Sequence, residues 1–339
     1  MSKIPKCLVE KINSVPAKPG IYQMKDSDGN IIYIGKSKSL KSRVKSYFNT
    51  QHKWNKIKKM VFHIHDIDFI VTDTHLEAQL LECALIKKMK PIYNVQFKND
   101  KKYKYLKIEH CFKNKPITIV DERENENCFG PYRSKNILFA IINFFEHIYP
   151  ISKYENAYDF TYNMLPQPIK KETFEENKNC IIEIFSKKKK MLKFLSEIES
   201  KMQLAASEFQ FETASIYRDI LHYIKYLDDS LVNENSNLRT SRVLIGEKIE
   251  NGYKIFYISN NNIILKKKYK KLTGKALEEF LIQAQKLEND ISHNKNEKSD
   301  LDFKNIIKAE IRDTTSKVLL TIDNNYNTDE FINKLMKNN

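Results

Sequence analysis

Residues 20–36 read GIYQMKDSDGNIIYIGK, and this stretch decides the fold of the first part of the chain. Two short runs of strand-forming residues, 20–24 and 31–35, lie on either side of residues 26–30. Asp, Gly and Asn in that connection tolerate positive φ, which is typical of the turn of a β-hairpin. We therefore predict two antiparallel strands.

A helix is predicted directly after the hairpin, with Ser39 as its N-cap. Arg43 and Tyr47 are four residues apart, so they share one face of that helix. Phenols, cations and a helix N-terminus in one place suit a phosphodiester. The side chains that this arrangement brings together are Tyr22, Tyr33, Lys36, Arg43 and Tyr47.

A third strand and a second helix complete the predicted unit. Residues 66–72 alternate and are β-branched. Thr74 and Glu77 form a capping box for the helix that follows. Leu76, Leu81 and Leu85 are its expected buried stripe. Glu82 lies beside that stripe, and Asn94 follows the helix in the sequence KPIYN.

Gly-Ile-Tyr followed by Tyr-Ile-Gly resembles the signature of the GIY-YIG endonucleases, and the continuation is similar to the N-terminal half of the UvrC family. The resemblance implies that Glu82 is the metal-ligating carboxylate, with Glu77 as the runner-up, and that Asn94 closes the site. It also implies that Tyr33 is the general base. Mg²⁺, or Mn²⁺, is the expected metal, since one carboxylate suffices to hold an ion that keeps several waters. The expected catalytic residues are Tyr33, Arg43, Glu82, Tyr22, Lys36, Tyr47 and Asn94.

The predicted fold class is α+β. A small three-stranded GIY-YIG sheet with flanking helices comes first, then a helical hairpin of the UVR type, and then a small α+β C-terminal region. The predicted segments are a nuclease domain at 15–97, a DNA-contacting α+β extension at 98–150, a linker at 151–185, the hairpin at 186–228 and the C-terminal region at 238–339. The last region is too short to hold the RNase H-like nuclease that the family carries there.

The extension and the linker differ from the family in one respect. Relatives typically have four cysteines there, attributed to an iron–sulfur cluster, whereas residues 150–185 offer only Cys180. One thiolate cannot hold such a cluster, so we expect none. The alternating Tyr and Lys of residues 98–108 fit either nucleic-acid stacking or strand packing. The lysines expected to contact DNA are Lys38, Lys41, Lys45, Lys101 and Lys102.

Residues 186–228 carry apolar side chains at helical spacing on two consecutive helices. The sequences MQLAA, FETA and RDI resemble the UVR motif that UvrB and UvrC share. The resemblance implies docking onto UvrB through Phe211, Glu212, Arg218 and Asp219. The alternative is an ordinary amphipathic hairpin packed on its own chain.

Composition limits the function classes. The net charge of +15 over 339 residues favours nucleic acid as partner, although an A·T-rich genome that encodes many lysines gives the same excess. The five scattered cysteines argue against a disulfide framework. No apolar run reaches membrane-spanning length, so we expect a cytoplasmic protein without a membrane partner.

The function expected from the resemblance is that of a single-nuclease UvrC relative, similar to the short homologue Cho. Such a protein makes the incision 3′ of a lesion in damaged double-stranded DNA, here delivered by UvrB during nucleotide excision repair. Two alternatives stay open. One is an independent mobile-element GIY-YIG nuclease, and the other is a regulator that docks UvrB and does not cut.

Overall fold

A computed structural model of the chain describes residues 6–49, 55–98, 102–109, 117–155, 157–168, 170–235, 242–290, 297–313, 317–323 and 326–337. The chain forms two compact units. The first joins Met1–Asp100 with Thr240–Asn339, and the second is Lys101–Arg239.

The N-terminal half of the first unit contains three strands and four helices. In chain order they are α1 (Lys6–Ser14), β1 (Gly20–Lys25), β2 (Ile31–Ser37), α2 (Leu40–Asn49), α3 (Asn55–Phe62), β3 (Asp66–Val71) and α4 (His75–Met89). The strands form one antiparallel sheet in the order β2-β1-β3. The predicted α+β class and the three-stranded sheet are therefore confirmed.

The connection between β1 and β2 is the predicted hairpin. Asp26 Oδ1 accepts hydrogen bonds from the backbone amides of Asp28 and Asn30, at 3.0 and 2.8 Å. Gly29 has a φ of 81°, a conformation that glycine adopts without steric cost. The turn sets the register in which Tyr22 faces Gly35 across the two strands.

Helices cover both faces of this sheet. On one face, Tyr22 and Met24 pack with Leu8 of α1, Val44 of α2 and Met60 of α3. On the other face, the sheet packs against α4 through a second cluster, whose buried members are Ile21, Ile34, Ala78 and Ile86. The active-site candidates therefore lie on a sheet that is fixed from both sides.

The C-terminal half of the first unit is a second α+β layer. Its elements are β9 (Arg242–Ile249), β10 (Gly252–Ser259), β11 (Asn262–Tyr269), α9 (Gly274–Asp290), α10 (Glu297–Arg312), β12 (Val318–Ile322) and α11 (Thr328–Lys337). The antiparallel sheet has the order β11-β10-β9-β12. One face packs on α9 and α11 through Phe280 and Phe331. The other face packs on α4 and α10 through Leu76 and Ile307. This region is predicted as a segment of its own, whereas in the structure it belongs to the same compact unit as the nuclease half.

The second unit contains the extension and the hairpin. Its elements are β4 (Lys104–Ile108), β5 (Ile117–Val120), β6 (Cys128–Tyr132), α5 (Lys135–His147), β7 (Ser152–Tyr154), β8 (Ala157–Asp159), α6 (Lys171–Ser186), α7 (Lys188–Ser207) and α8 (Phe211–Asn235). The sheets have the orders β5-β4-β6 and β7-β8. One hydrophobic core joins the sheet β5-β4-β6 and α5 to the hairpin α7–α8.

Residues 151–185 do not form the predicted linker. They fold into β7, β8 and most of α6, and they bury Phe160, Ile181, Ile184 and Phe185 in the core of the second unit. The missing cysteines predict a linker. The prediction is wrong because apolar side chains at helical spacing along α6 are buried in the core and fix the segment. Cys180 is buried in the same core.

None of the helices in the described ranges is long and apolar enough to cross a membrane.

Candidate active site

Three tyrosine rings meet where the hairpin packs against the last turn of α2. The ring centroids of Tyr22 and Tyr33 are 6.1 Å apart, those of Tyr22 and Tyr47 are 5.9 Å apart, and those of Tyr33 and Tyr47 are 6.3 Å apart. The hydroxyls of Tyr22 and Tyr47 share a hydrogen bond of 2.8 Å. Tyr22 and Tyr47 are buried, whereas Tyr33 is only partly covered. Tyr33 is thus the tyrosine of this trio with the most accessible ring.

Gly35 makes room for Tyr22, and Gly20 allows the close approach of β3. A Cβ atom on Gly35 would lie 2.2 Å from the Tyr22 hydroxyl oxygen, and one on Gly20 would lie 2.2 Å from the Ile70 carbonyl oxygen. Both distances are far shorter than a van der Waals contact. The two glycines of the signature thus have a packing role that their sequence alone does not reveal, because it depends on which residues lie opposite them on the neighbouring strands.

Arg43 provides the positive charge next to the tyrosines. Its guanidinium carbon lies 5.1 Å from the centroid of the Tyr47 ring, within the range of a cation–π contact. The side chain is exposed on α2, so its planar donors are open to a phosphate. The predicted helical face shared by Arg43 and Tyr47 is therefore present.

Glu82 lies on α4 and reaches the end of β2. Its Oε1 accepts a hydrogen bond of 3.0 Å from the backbone amide of Lys36, and its Oε2 is 3.4 Å from Lys36 Nζ. Glu82 is 9% exposed. Burial raises the pKa of this carboxyl, while Lys36 and Arg43 lower it. Because Lys36 and Arg43 only partly offset the cost of burying this carboxylate, its site favours a further positive charge.

Glu77, the runner-up for the metal ligand, is engaged elsewhere. Its backbone amide donates to Thr74 Oγ1 at 3.2 Å, which is the first half of the predicted capping box. Its carboxylate instead pairs with Lys254 and Lys266 of the C-terminal sheet, at 3.0 and 2.9 Å. The carboxylate of Glu77 is therefore engaged in ion pairs at the start of α4 and is not part of the tyrosine trio's surroundings.

Asn94 is fixed to the outer edge of β2. Its Oδ1 accepts a hydrogen bond of 2.9 Å from the backbone amide of Ile34, and its Nδ2 donates one of 2.8 Å to the Ile34 carbonyl. Tyr93 adds a backbone bond of 3.0 Å to the Ile32 carbonyl. Asn94 thus holds β2, the strand that carries Tyr33, Gly35 and Lys36.

Burial also affects the acidity of the tyrosine hydroxyls. Burial raises the pKa of Tyr22 and of Tyr33, and the neighbouring phenols add to the effect. The positive charge of Arg43 lowers both pKa values. A phenol at this place therefore gains acidity only from cations brought close to it.

The donor set suits a hard cation with a water shell. In the part of the chain that the structure describes, no group of three or more His, Cys, Asp or Glu side chains could hold a metal ion. One carboxylate, Glu82, with phenol oxygens nearby matches Mg²⁺, which is commonly held by one or two carboxylates and keeps several waters. The residues present therefore fit the expected metal.

The lysines predicted to contact DNA lie in different parts of the molecule. Lys38 is exposed just before α2, and Lys41 and Lys45 are partly exposed on that helix, one turn apart. Lys102 is exposed in the second unit, and Lys101 lies outside the described residues. The structure thus places Lys41 and Lys45 on the helix that carries Arg43, with Lys38 in the connection just before it.

The predicted partner-binding residues lie at and near the N-terminal end of α8. Phe211 is 65% exposed, and Glu212, Arg218 and Asp219 are exposed as well. Arg218 donates from Nε and Nη2 to Asp219 Oδ1, at 3.0 and 2.9 Å. Phe209, an apolar residue that the spacing predicts on the second helix, lies in the turn before α8 and is 80% exposed.

The hairpin is packed on its own chain along one side and exposed at its turn. One side of α7 and α8 packs on its own chain through Phe194, Ile198, Ile220 and Ile224. The turn is open. There Phe209 and Phe211 form an edge-to-face pair with centroids 6.1 Å apart.

Comparison with known proteins gives two domain matches. The sequence model of the UvrC-like GIY-YIG domain matches residues 18–95, and that of the UvrB/UvrC motif matches residues 193–226. A curated relative, the UvrABC system protein C of Caldanaerobacter subterraneus subsp. tengcongensis, is 35% identical over 240 residues, which are 66% of this chain and 39% of the relative. The chain thus spans about two fifths of the length of that relative.

Solved structures are also similar to the nuclease half. The GIY-YIG N-terminal endonuclease domain of UvrC from Thermotoga maritima, bound to magnesium as its catalytic divalent cation, is 38% identical, with a TM-score of 0.25. A point mutant of that domain is 36% identical, with the same TM-score. Each match covers 27% of this chain and 100% of the solved domain. The predicted resemblance to UvrC-type GIY-YIG nucleases is confirmed by the two domain matches and the curated relative.

Proposed function

We propose that this chain is a metal-dependent DNA endonuclease of the UvrC type, which makes the incision 3′ of a lesion in DNA that UvrB delivers. The observation that carries the proposal is the convergence of Tyr22, Tyr33 and Tyr47 with Arg43 at one end of the sheet, next to the contact of Glu82 with Lys36. The matched GIY-YIG domain model covers all of these residues.

Hydrolysis of a phosphodiester requires an activated water and stabilisation of the negative charge that develops on phosphorus oxygens and on the leaving oxygen. The exposed guanidinium of Arg43 presents paired donors to two phosphate oxygens. Lys36, with a side chain that is 33% exposed, adds a second positive charge. These two side chains orient the scissile phosphate against Tyr33.

Tyr33 is the proposed acceptor of the proton from the attacking water. Its more accessible ring, compared with Tyr22 and Tyr47, supports this role. Burial raises its pKa and Arg43 lowers it, so the approach of cationic groups favours the phenolate form. Tyr22 and Tyr47, joined by their hydroxyls, hold the ring of Tyr33 and the base of the pocket in place.

Glu82 is the proposed ligand of a divalent cation, with Mg²⁺ as the ion that its oxygen chemistry favours and Mn²⁺ as a substitute. A cation held there would neutralise charge on the phosphate and on the leaving oxygen. The backbone amide of Lys36 fixes Glu82 Oε1, and Oε2, which faces Lys36 Nζ at 3.4 Å, is the proposed oxygen for the ion. We further propose that the chain carries no iron–sulfur cluster, because Cys180 is the one cysteine of residues 150–185.

UvrB is the proposed partner, and the open end of the hairpin is the proposed contact. The match of residues 193–226 to the UvrB/UvrC motif supports this partner. The exposed aromatic pair Phe209 and Phe211, with the polar residues Glu212, Arg218 and Asp219 on the following turns, gives an apolar centre with a charged rim. Such an arrangement is typical of an interface that binds through a few anchoring side chains.

The test is incision of an end-labelled duplex that carries one lesion, with Mg²⁺, in the presence and absence of UvrB and with the full chain. We expect one cut on the 3′ side of the lesion that requires UvrB and is lost in Glu82→Ala. Cutting without UvrB would instead indicate an independent nuclease. Binding of UvrB without cutting in any divalent cation would indicate a docking regulator.

A further inference from the structure

Helix α4 is packed on both of its sides, unlike an ordinary surface helix. Ala78 and Ile86 pack against the nuclease sheet. Leu76, with Leu80, packs against the C-terminal sheet, where the buried partners include Phe256. A helix that is apolar on both sides belongs to an interior. The helix that carries Glu82 is therefore held between the nuclease sheet and the C-terminal region.

Three lysines of the C-terminal sheet hold the N-terminal end of α4. Lys254 Nζ lies 2.9 Å from Asp73 Oδ2 and 3.0 Å from Glu77 Oε1, with a side chain that is only 9% exposed. Lys266 lies 2.9 Å from Glu77, and Lys268 lies 2.6 Å from Asp73. The three lysines share one face of the β10–β11 pair, because Lys254 is directly opposite Lys268. Two carboxylates are thus clamped by three cations.

A separate ion pair holds the other end of α4. Lys87 Nζ lies 2.8 Å from Asp302 Oδ2 of α10, and the two side chains are 15% and 8% exposed. Removing one partner of a pair this deeply buried takes a counter-charge away from the other, which is destabilising locally. The C-terminal region therefore holds the helix at two points.

Glu82 lies midway between these two points. It is five residues after Glu77 and five before Lys87, which corresponds to a rise of about 7.5 Å on each side. Since each residue turns the helix by about 100°, both anchors lie about 140° from Glu82 around the axis. The ion pairs of Glu77 and Lys87 therefore lie on the face of α4 that points away from Lys36 and the tyrosines.

We propose that the C-terminal region, residues 242–337, positions α4 and thereby sets the place of the Glu82 carboxylate at the end of β2. Lys254 and Asp302 are its main positioning residues, since they are the most buried members of the two contacts. Lys254 pairs with Asp73 and Glu77, and Asp302 pairs with Lys87, so both act on α4. This inference rests on the proposed role of Glu82 as the cation ligand.

The test uses the full chain and the variants Lys254→Met and Asp302→Asn. Three quantities are measured: hydrogen exchange of the α4 amides, Mg²⁺ binding by calorimetry without DNA, and incision as a function of Mg²⁺ concentration. Loss of groups that orient a metal ligand typically weakens metal binding by about 10–100-fold, so we expect at least a tenfold loss of Mg²⁺ affinity with faster exchange along α4. Lys254→Arg, which keeps the charge, should return both quantities close to those of the unchanged chain.

Lys334→Met is the matched control. It breaks the exposed pair of Lys334 with Glu330 on α11, in the same region but without contact to α4. This control should leave exchange and Mg²⁺ affinity unchanged. If Lys254→Met unfolds, Asp302→Asn still decides the question, since it breaks the second contact and a positioning role requires it to lose Mg²⁺ affinity while Lys334→Met keeps it.

The inference would be overturned if the α4 amides of both Lys254→Met and Asp302→Asn exchanged as slowly as those of the unchanged chain. Faster exchange of these amides with unaltered Mg²⁺ affinity would overturn it as well. Failure of the proposed function has a different signature. In that case the unchanged chain neither binds Mg²⁺ nor cuts, and the variants do not differ from it. That result would overturn the positioning role together with the assignment of Glu82.

Discussion

The hydroxyl oxygen of Tyr22 lies 2.2 Å from the position that a Cβ atom on Gly35 would take. The two residues face each other across β1 and β2, so the ring of Tyr22 crosses directly over the glycine. The close approach lets Tyr22 reach Tyr47 with its hydroxyl. The glycine of the second half of the signature is therefore needed for the tyrosine of the first half.

Gly35→Ala should displace the Tyr22 ring. Overpacking of a filled core typically costs about 1–3 kcal/mol, so we expect a loss of this size in the free energy of unfolding, measured in urea, together with loss of incision. Gly274→Ala is the control, since its new Cβ would find Asp329 Oδ1 at 3.8 Å, an ordinary contact. Full activity and stability in Gly35→Ala would contradict the packing described for Tyr22.

Asn94→Ala should loosen β2. It removes both hydrogen bonds to Ile34 and leaves a buried amide and a buried carbonyl without these partners, at about 1–3 kcal/mol for each group. Asn94→Asp keeps an acceptor for the Ile34 amide but, when ionised, sets a second acceptor against the Ile34 carbonyl in a buried place, so its loss should be of similar size. The measurement is hydrogen exchange of the Ile34 amide, with urea unfolding alongside. Unchanged exchange and stability in both variants would show that the amide group does not act through these two bonds.

Glu247 makes the stability of the first unit depend on pH. Burial raises the pKa of this carboxyl to about 7, with Glu310 and Glu77 adding to the effect and Lys317 and Lys38 opposing it. Its Oε2 is buried without a hydrogen-bond partner among the described residues. Because the pKa is higher in the folded chain than its ordinary value, the contribution to stability is complete below about pH 4.5 and is lost as the pH rises through 7.

Glu247→Gln should therefore stabilise the chain at pH 8 and have little effect at pH 4.5. One pKa unit corresponds to about 1.4 kcal/mol, so the gain should be roughly 1–3 kcal/mol. Thermal unfolding at both pH values measures it, with Glu278→Gln, an exposed carboxyl on α9, as the control. A gain of equal size at both pH values would mean that ionisation of Glu247 is not its cause.

The turn of the hairpin should carry most of the affinity for UvrB. Phe209→Ala and Phe211→Ala each remove an exposed ring, and aromatic anchors of this kind typically contribute about 2 kcal/mol or more, which is roughly a 30-fold change in the dissociation constant. Calorimetry with purified UvrB measures the change. Phe139→Ala, an exposed ring on α5 of the same unit, should bind UvrB as the unchanged chain does.

The sequence predicts the nuclease half well because its signals are local. The turn at Asp26, the strand alternation of residues 66–71 and the Thr74 cap each depend on neighbours in the chain, and all are present. The contact of Glu82 with Lys36 joins residues 46 positions apart. Only the resemblance to a known family could predict it.

The segments for which the sequence-based prediction was wrong are fixed by contacts with residues far away in the chain. Residues 151–185 carry apolar side chains at helical spacing along α6, but the core that buries Phe160 and Phe185 is made by the extension and the hairpin, far away in the sequence. Helix α4 has leucines on both sides, because a second sheet, formed after residue 241, covers its outer face. Leu81 and Leu85, expected on the buried stripe, are only partly buried at the edge of the nuclease-sheet cluster, while Cys83 and Ile86 take the interior positions.

The central claim is that Glu82 and Arg43 form one phosphodiester-cutting site. Incision of the UvrB-loaded lesion duplex and DNA binding should be measured on the same preparations of Glu82→Gln, Arg43→Ala and the unchanged chain. We expect each variant to lose at least about 100-fold in the rate of cutting, as for removal of a group that stabilises transition-state charge, while DNA affinity stays within about threefold, a difference of less than about 1 kcal/mol. Cutting by either variant at the rate of the unchanged chain would contradict the account.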